Sequence, residues 1–265
     1  MALLFAVAVL AFGTISTKVF PVTTEVYVGG QGPYLFLVDT GSETTMMDRA
    51  LAASLGLRPT FQTEIVSVTG SRFAPGATLE GVRAGGADIP PVEVVFDDPV
   101  QARQVVPGVR GVLGINALRQ VSFLLAPRDG VIRIGGDVAR PADGVAVPMR
   151  EVEGRVVIGA RMGREPLSLV LDSGANHVVL FRMPEAMART SPVSSTVTTL
   201  DGARQAAATT WTAEMTVEDK LRMKTRPAVV LQRAGSPVDG LMPVSAFERV
   251  FVDRARNEVV LSPLR

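Results

Sequence analysis

The sequence predicts an all-β protein made of two homologous lobes, each a small β-barrel, related by a pseudo-two-fold axis. Three observations predict it. An apolar run ending in Asp, a small hydroxyl residue and Gly occurs twice, as Leu35-Phe36-Leu37-Val38-Asp39-Thr40-Gly41-Ser42 and Leu169-Val170-Leu171-Asp172-Ser173-Gly174-Ala175. Other landmarks recur behind each copy at near-equal spacing. Long helical periods are almost absent, while short β-prone runs bounded by Gly, Pro, Asn and Asp are frequent.

Each copy reads as a buried strand delivering an Asp into a tight turn, where Gly permits a conformation that a side chain would resist. Behind Asp39, a hairpin is predicted over 64–75 with its tip at Thr69, Gly70 and Ser71. Behind Asp172, the run from Ser195 to Arg204 predicts another, with its tip at Asp201 and Gly202. Gly70 lies 31 residues after Asp39, and Gly202 lies 30 after Asp172. An apolar segment between small residues then follows, Gly111-Val112-Leu113-Gly114 in the first half and Gly240-Leu241-Met242-Pro243 in the second. These start 72 and 68 residues after their Asp. A terminal hairpin closes each half, around Pro127–Gly130 and around Arg254–Asn257.

The remaining elements follow in order. Met1 to Gly13 is apolar and too short to span a bilayer, which takes about 20 residues. Its length suits the apolar region of a signal peptide, with Ala11 and Gly13 before a cut, although no Lys or Arg precedes it. Residues 1–18 are therefore set apart as a signal-peptide-like or short hydrophobic N-terminus, and a periplasmic or secreted location is expected. Thr23–Val28 and Tyr34–Val38 read as strands flanking a turn at 29–33. Asp48 is placed to cap a helix from Arg49 to Leu55, with Gly56 as its stop. Leu79–Val82 and Val92–Phe96 are further strand candidates. The stretch from Gly135 to Gly144, rich in Gly, Pro and Ala, is the linker, which sets lobes at 19–140 and 141–265. Trp211 and the ten Met residues read as core or groove lining.

Composition narrows the chemistry. With 27 basic against 26 acidic residues and 5% aromatics, there is no electrostatic or stacking case for nucleic acid. The absence of Cys excludes disulfides and thiol catalysis, and the single His177 cannot build a multi-His metal site. No metal and no cofactor are expected. Membrane contact is expected only through the apolar N-terminus.

Two-fold-related halves place like against like at the axis. Asp39 and Asp172 would then share one site, where both cannot ionise cheaply, so the pair holds a single proton. One carboxylate can take a proton from water while the other, protonated, donates to a carbonyl oxygen.

Through Asp39-Thr40-Gly41-Ser42, Asp172-Ser173-Gly174-Ala175 and Val112-Leu113-Gly114, the chain resembles the pepsin/retropepsin-like aspartic proteases in their single-chain, two-lobed form. The run Ala50-Leu51-Ala52-Ala53-Ser54-Leu55-Gly56-Leu57 is similar to bacterial retropepsin-like proteins. The resemblance covers about residues 20–265. It implies the acid-protease fold with retropepsin-like barrels, aspartic endopeptidase activity and a peptide or protein substrate. A monomer is expected, since one chain supplies both Asp residues. It implies Asp39 and Asp172 as the catalytic dyad. Thr40 and Ser173 would cross-bond beneath them, with Gly41 and Gly174 allowing the turns. Ser42 and Ala175 would complete the support, and the two hairpin tips would be flaps.

The sequence departs from the pattern at Pro243, where Gly stands in the first half, and at Ser245, where the first half has Asn116. This puts the packing behind Asp172 in question. Only the first turn carries a hydroxyl after Gly, so Ser42 is expected to donate to Asp39 and leave the shared proton on Asp172. Two other readings are the same fold with a silent dyad that binds peptide or protein, and an actin-like phosphate-binding ATPase or kinase, whose turns resemble Asp39 to Thr45. The latter requires strands alternating with long helices.

Overall fold

A computed structural model describes residues 3–4, 10–12, 20–67, 70–187, 191–198 and 204–264. The chain is all-β. Its two α-helices among these residues, Arg49–Ser54 and Val100–Val105, have six residues each. The long helices an actin-like ATPase needs are absent among the described residues. The first helix begins as expected, with the Asp48 carboxylate accepting from Leu51 N at 3.0 Å. The second was not anticipated, since its apolar residues lack a clear helical period.

The strand Thr23–Val28 alternates in burial and turns at Gly29-Gly30 into Gln31–Asp39. That strand lies parallel to Gly111–Gly114, with Gly114 opposite Asp39. In the second half Arg155–Met162 turns into Glu165–Asp172, which lies parallel to Gly240–Pro243 with Pro243 opposite Asp172. Each Asp thus ends a central strand in one register.

Further pairings recur in the same sense. The hairpin of Phe61–Ser67 and Gly70–Leu79 lays its second strand antiparallel to Val92–Phe96, which is parallel to Thr45–Met47. The hairpin of Val193–Thr198 and Arg204–Trp211 lays its second strand antiparallel to Pro227–Val230, which is parallel to Val178–Leu180. The halves join where Phe123–Ala126 pairs antiparallel with Phe247–Asp253, Leu124 facing Phe251. Among the described residues, one 15-stranded sheet therefore runs through both halves, and an 11-stranded sheet belongs mainly to the second. One apolar cluster draws on both, with Phe36, Phe123 and Phe247 fully buried. Each such side chain contributes about 1.5–3 kcal/mol relative to exposure.

Two element boundaries need correction. Leu79–Val82 is not one strand. Gly81, at a φ of +65°, turns the chain between Leu79 and a separate strand Val82–Ala84. Gln31 to Pro33 already belong to a strand, so the turn is confined to Gly29-Gly30. Trp211 is 54% exposed at the end of its strand, because its neighbour Thr210, not Trp211, faces inward. Within the apolar N-terminus, Leu3–Leu4 pairs parallel to Ile65–Val66 and Leu10–Phe12 pairs antiparallel to Thr196–Thr198. The described N-terminal residues thus add strands to the first strand of both hairpins. Among hairpin tip residues, Gly70 and Ser71 pair with Ser67 and Val66, while Thr69, Asp201 and Gly202 lie outside the described residues.

Candidate active site

The turns after Asp39 and Asp172 hold their carboxylates alike. Asp39 Oδ1 accepts from Gly41 N at 3.0 Å and Ser42 N at 3.2 Å. Asp172 Oδ1 accepts from Gly174 N at 2.7 Å and Ala175 N at 3.2 Å. Both carboxyls are buried, and the Oδ2 atom of each takes no hydrogen bond from another described residue.

The turns abut. A Cβ added to Gly41 would lie 2.5 Å from the Asp172 carboxyl carbon, so only Gly lets the turns approach this closely. Beneath them, Thr40 and Ser173 cross. Thr40 Oγ1 donates to Leu171 O at 2.8 Å and accepts from Ser173 N at 3.0 Å. Ser173 Oγ donates to Val38 O at 2.8 Å and accepts from Thr40 N at 3.0 Å. These bonds satisfy buried backbone groups of both strands, each contributing about 1 kcal/mol net and costing more if one partner is lost.

Burial raises both carboxyls. Asp39 stands well above its ordinary value, first from desolvation and then from the charge of Asp172 beside it. Asp172 is pushed up to about 6 by desolvation, against the pull of its backbone donors, of Asp39 and of Arg155. Two buried carboxyls this close share one proton. The asymmetry expected from Ser42 is absent. The Ser42 hydroxyl donates to Thr44 O at 3.0 Å instead of to Asp39, so it supplies no asymmetry there. Arg155 favours the charged form of Asp172 instead.

The departures behind Asp172 change as a set. In the first half Gly114 N donates to Thr45 Oγ1 at 3.1 Å, and that hydroxyl donates to Asn116 Oδ1 at 2.8 Å. The strand registers place Val178 at the position of Thr45 and Pro243 at that of Gly114. Donor and acceptor have gone together, leaving no orphaned group, an exchange that costs little.

Sequence reasoning missed the charges beside the dyad. Glu43, next after Ser42, is buried with Arg155, whose Nη2 lies 3.4 Å from Glu43 Oε1 and also contacts Glu153. Burial pushes Glu43 up to about 7, with Arg155 pulling down and Glu153 pushing up. A charged residue after a buried turn was a usable signal for Glu43. Nothing in the sequence marks Arg155, from the start of a distant strand, as its partner. His177 is buried behind the second turn, and desolvation lowers its pKa.

Residues 24–117 match the family model described as aspartyl protease, a span holding Asp39, its turn and Gly111–Gly114. That segment is therefore similar to aspartyl proteases, in keeping with the resemblance carried by the Asp39 turn. A search of curated proteins returned no match.

Proposed function

We propose that the chain is an aspartic endopeptidase in which Asp39 and Asp172 form one dyad at a pseudo-two-fold axis between two duplicated, barrel-like lobes. The observation that carries this is the approach of two matching Asp turns, cross-bonded through Thr40 and Ser173, with Gly41 against the Asp172 carboxyl. An extended peptide binds between the two hairpins, which act as flaps and exclude water from the dyad. The strand pairing of the N-terminal residues with both hairpins supports this, because it shows edges that accept an added strand.

Asp172, ionised, takes a proton from a water molecule. Asp39, protonated, donates to the oxygen of the scissile carbonyl. The water oxygen bonds to the carbonyl carbon, giving a tetrahedral intermediate stabilised by that hydrogen bond. The C–N bond then breaks, the nitrogen takes a proton from the dyad, and the carboxyl product re-forms its C=O. One proton on the dyad is needed at the start, so activity should rise as pH passes about 6, where Asp172 ionises.

The test is cleavage of an unfolded protein and a peptide library from pH 3 to 8 by wild type, Asp39→Asn and Asp172→Asn, with and without pepstatin. Loss of cleavage in both variants, by at least about 1,000-fold, is expected from removal of either half of a shared acid–base pair. Cleavage that survives in either variant contradicts the shared dyad. A folded wild type that binds peptides without cleaving them at any pH points to a binding module.

A further inference from the structure

The arginines around the two turns are not balanced alike. In the first half Asp48 contacts Arg103 and Arg110, and Asp97 contacts Arg49 and Arg72. Backbone hydrogen bonds identify the matching positions. Asp97 N donates to Met47 O as Leu231 N donates to Leu180 O, and Asp48 N donates to Arg110 O as Phe181 N donates to Asp239 O. The second half thus has Phe181 and Leu231 where the first has two buried carboxylates.

Two residues past Leu231 stands Arg233. Its N–H donates to Phe181 O at 3.1 Å, and its guanidinium lies over the Phe181 ring, 5.4 Å from the centroid. The side chain is half-buried, and no carboxylate among the described residues ion-pairs with it. Its charged neighbours are Arg155, Glu153 and Glu43. Both of those carboxylates are already engaged by Arg155. Arg119 adds a third cation, reaching the Glu153 carbonyl at 3.5 Å. Of these three guanidinium groups, Arg233 alone has no ion pair or hydrogen bond to Glu43 or Glu153 among the described residues. The cluster lies near the dyad, since Glu43 follows the Asp39 turn and Arg155 acts on Asp172.

We propose that Arg233 receives a carboxylate of the bound peptide, and so makes the groove selective for an acidic group near the scissile bond. This rests on the reading of the groove as a peptide site. A guanidinium held by ring stacking offers a preorganised fork to a carboxylate, and partial desolvation strengthens the pair. The carboxylate can come from an Asp or Glu side chain or from the C-terminus of the peptide.

The experiment uses the full chain as wild type, Arg233→Gln and Arg233→Lys. Peptides carry one Glu, or Gln in its place, at successive positions around the cleaved bond, each with a free-acid and an amidated C-terminus. Wild type should favour the carboxylate by about tenfold or more in kcat/KM, the scale of a charge-assisted hydrogen bond. A Glu-over-Gln ratio at one position identifies the side chain, and an acid-over-amide ratio the terminus. Arg233→Gln should bring the ratio to about one, and Arg233→Lys should keep part of it. The ratio within each variant is the readout, so a general loss of activity does not imitate the result. The same peptides are then titrated against Asp39→Asn. A carboxylate preference in binding that depends on Arg233 supports the proposal even if wild type cleaves nothing. Absence of a preference in wild type, persistence of it in Arg233→Gln, or failure to bind any peptide overturns it.

Discussion

After the Asp39 turn the first half runs through Thr44, Thr45 and Met47 to a buried Asp48 tied to two arginines. After the Asp172 turn the second runs through His177, Val178 and Leu180 to a buried Phe181. The strands bearing these residues pair in the same senses and registers. Backbone pairing is thus kept in both halves, while the polar pair of Thr45 and Gly114 is exchanged whole for Val178 and Pro243, since a half-exchanged pair would strand a buried group. The Asp turns themselves are kept nearly intact, because each needs the other.

That comparison breaks most severely at Gly41. Gly41→Ala puts a Cβ into the Asp172 carboxyl and pushes the turns apart. A misplacement of about 1 Å at reacting groups costs on the order of 100-fold in rate. The expected outcome is a loss of at least that size in kcat with the fold retained by circular dichroism. Unchanged kcat would separate the turns from the chemistry.

A second test asks whether the Val178–Pro243 set replaces the Thr45–Gly114 set. Pro243→Gly introduces a buried N–H without the hydroxyl that Thr45 supplies to Gly114. A loss of about 1–3 kcal/mol in unfolding free energy is expected by denaturant titration. Val178→Thr alone should be destabilising, yet combined with Pro243→Gly it should recover part of that loss. Strict additivity of the two changes would show that the sets are independent.

The smallest effect distinguishes Glu43 from its counterpart Asn176. Glu43 has a pKa raised from 4.5 to about 7, so the folded chain holds this proton more tightly than the unfolded one. The associated stability is present below about pH 4.5 and is lost as pH rises to about 7. Glu43→Gln should flatten the melting temperature across that window relative to wild type. A wild-type melting temperature that rises from pH 4.5 to 7, with the rise removed by the substitution, would reverse the assigned sign.

The strands and the two matching Asp turns were legible because they rest on local pattern: apolar runs, turn residues and spacing. The helix at Val100–Val105 was not, as Ala102 is the one buried residue among its six and no apolar period marks it. The concern over Pro243 was justified by the residue alone and resolved by Val178, a compensation visible only when registers align the strands. The role expected for Ser42 failed because a hydroxyl's acceptor depends on loop geometry, which brought Thr44 O within reach. Arg155 and Arg233 were silent in the sequence because their partners lie far along the chain.

The proposed mechanism requires one shared proton, held by Asp39 while Asp172 is ionised. Carboxyl carbon chemical shifts of selectively labelled Asp, assigned with Asp39→Asn and Asp172→Asn, would follow both groups from pH 3 to 8. The predicted result is a first ionisation near pH 6 assigned to Asp172, with Asp39 still protonated beyond it. Two independent titrations near pH 4, the range of ordinary aspartates, would contradict the shared site.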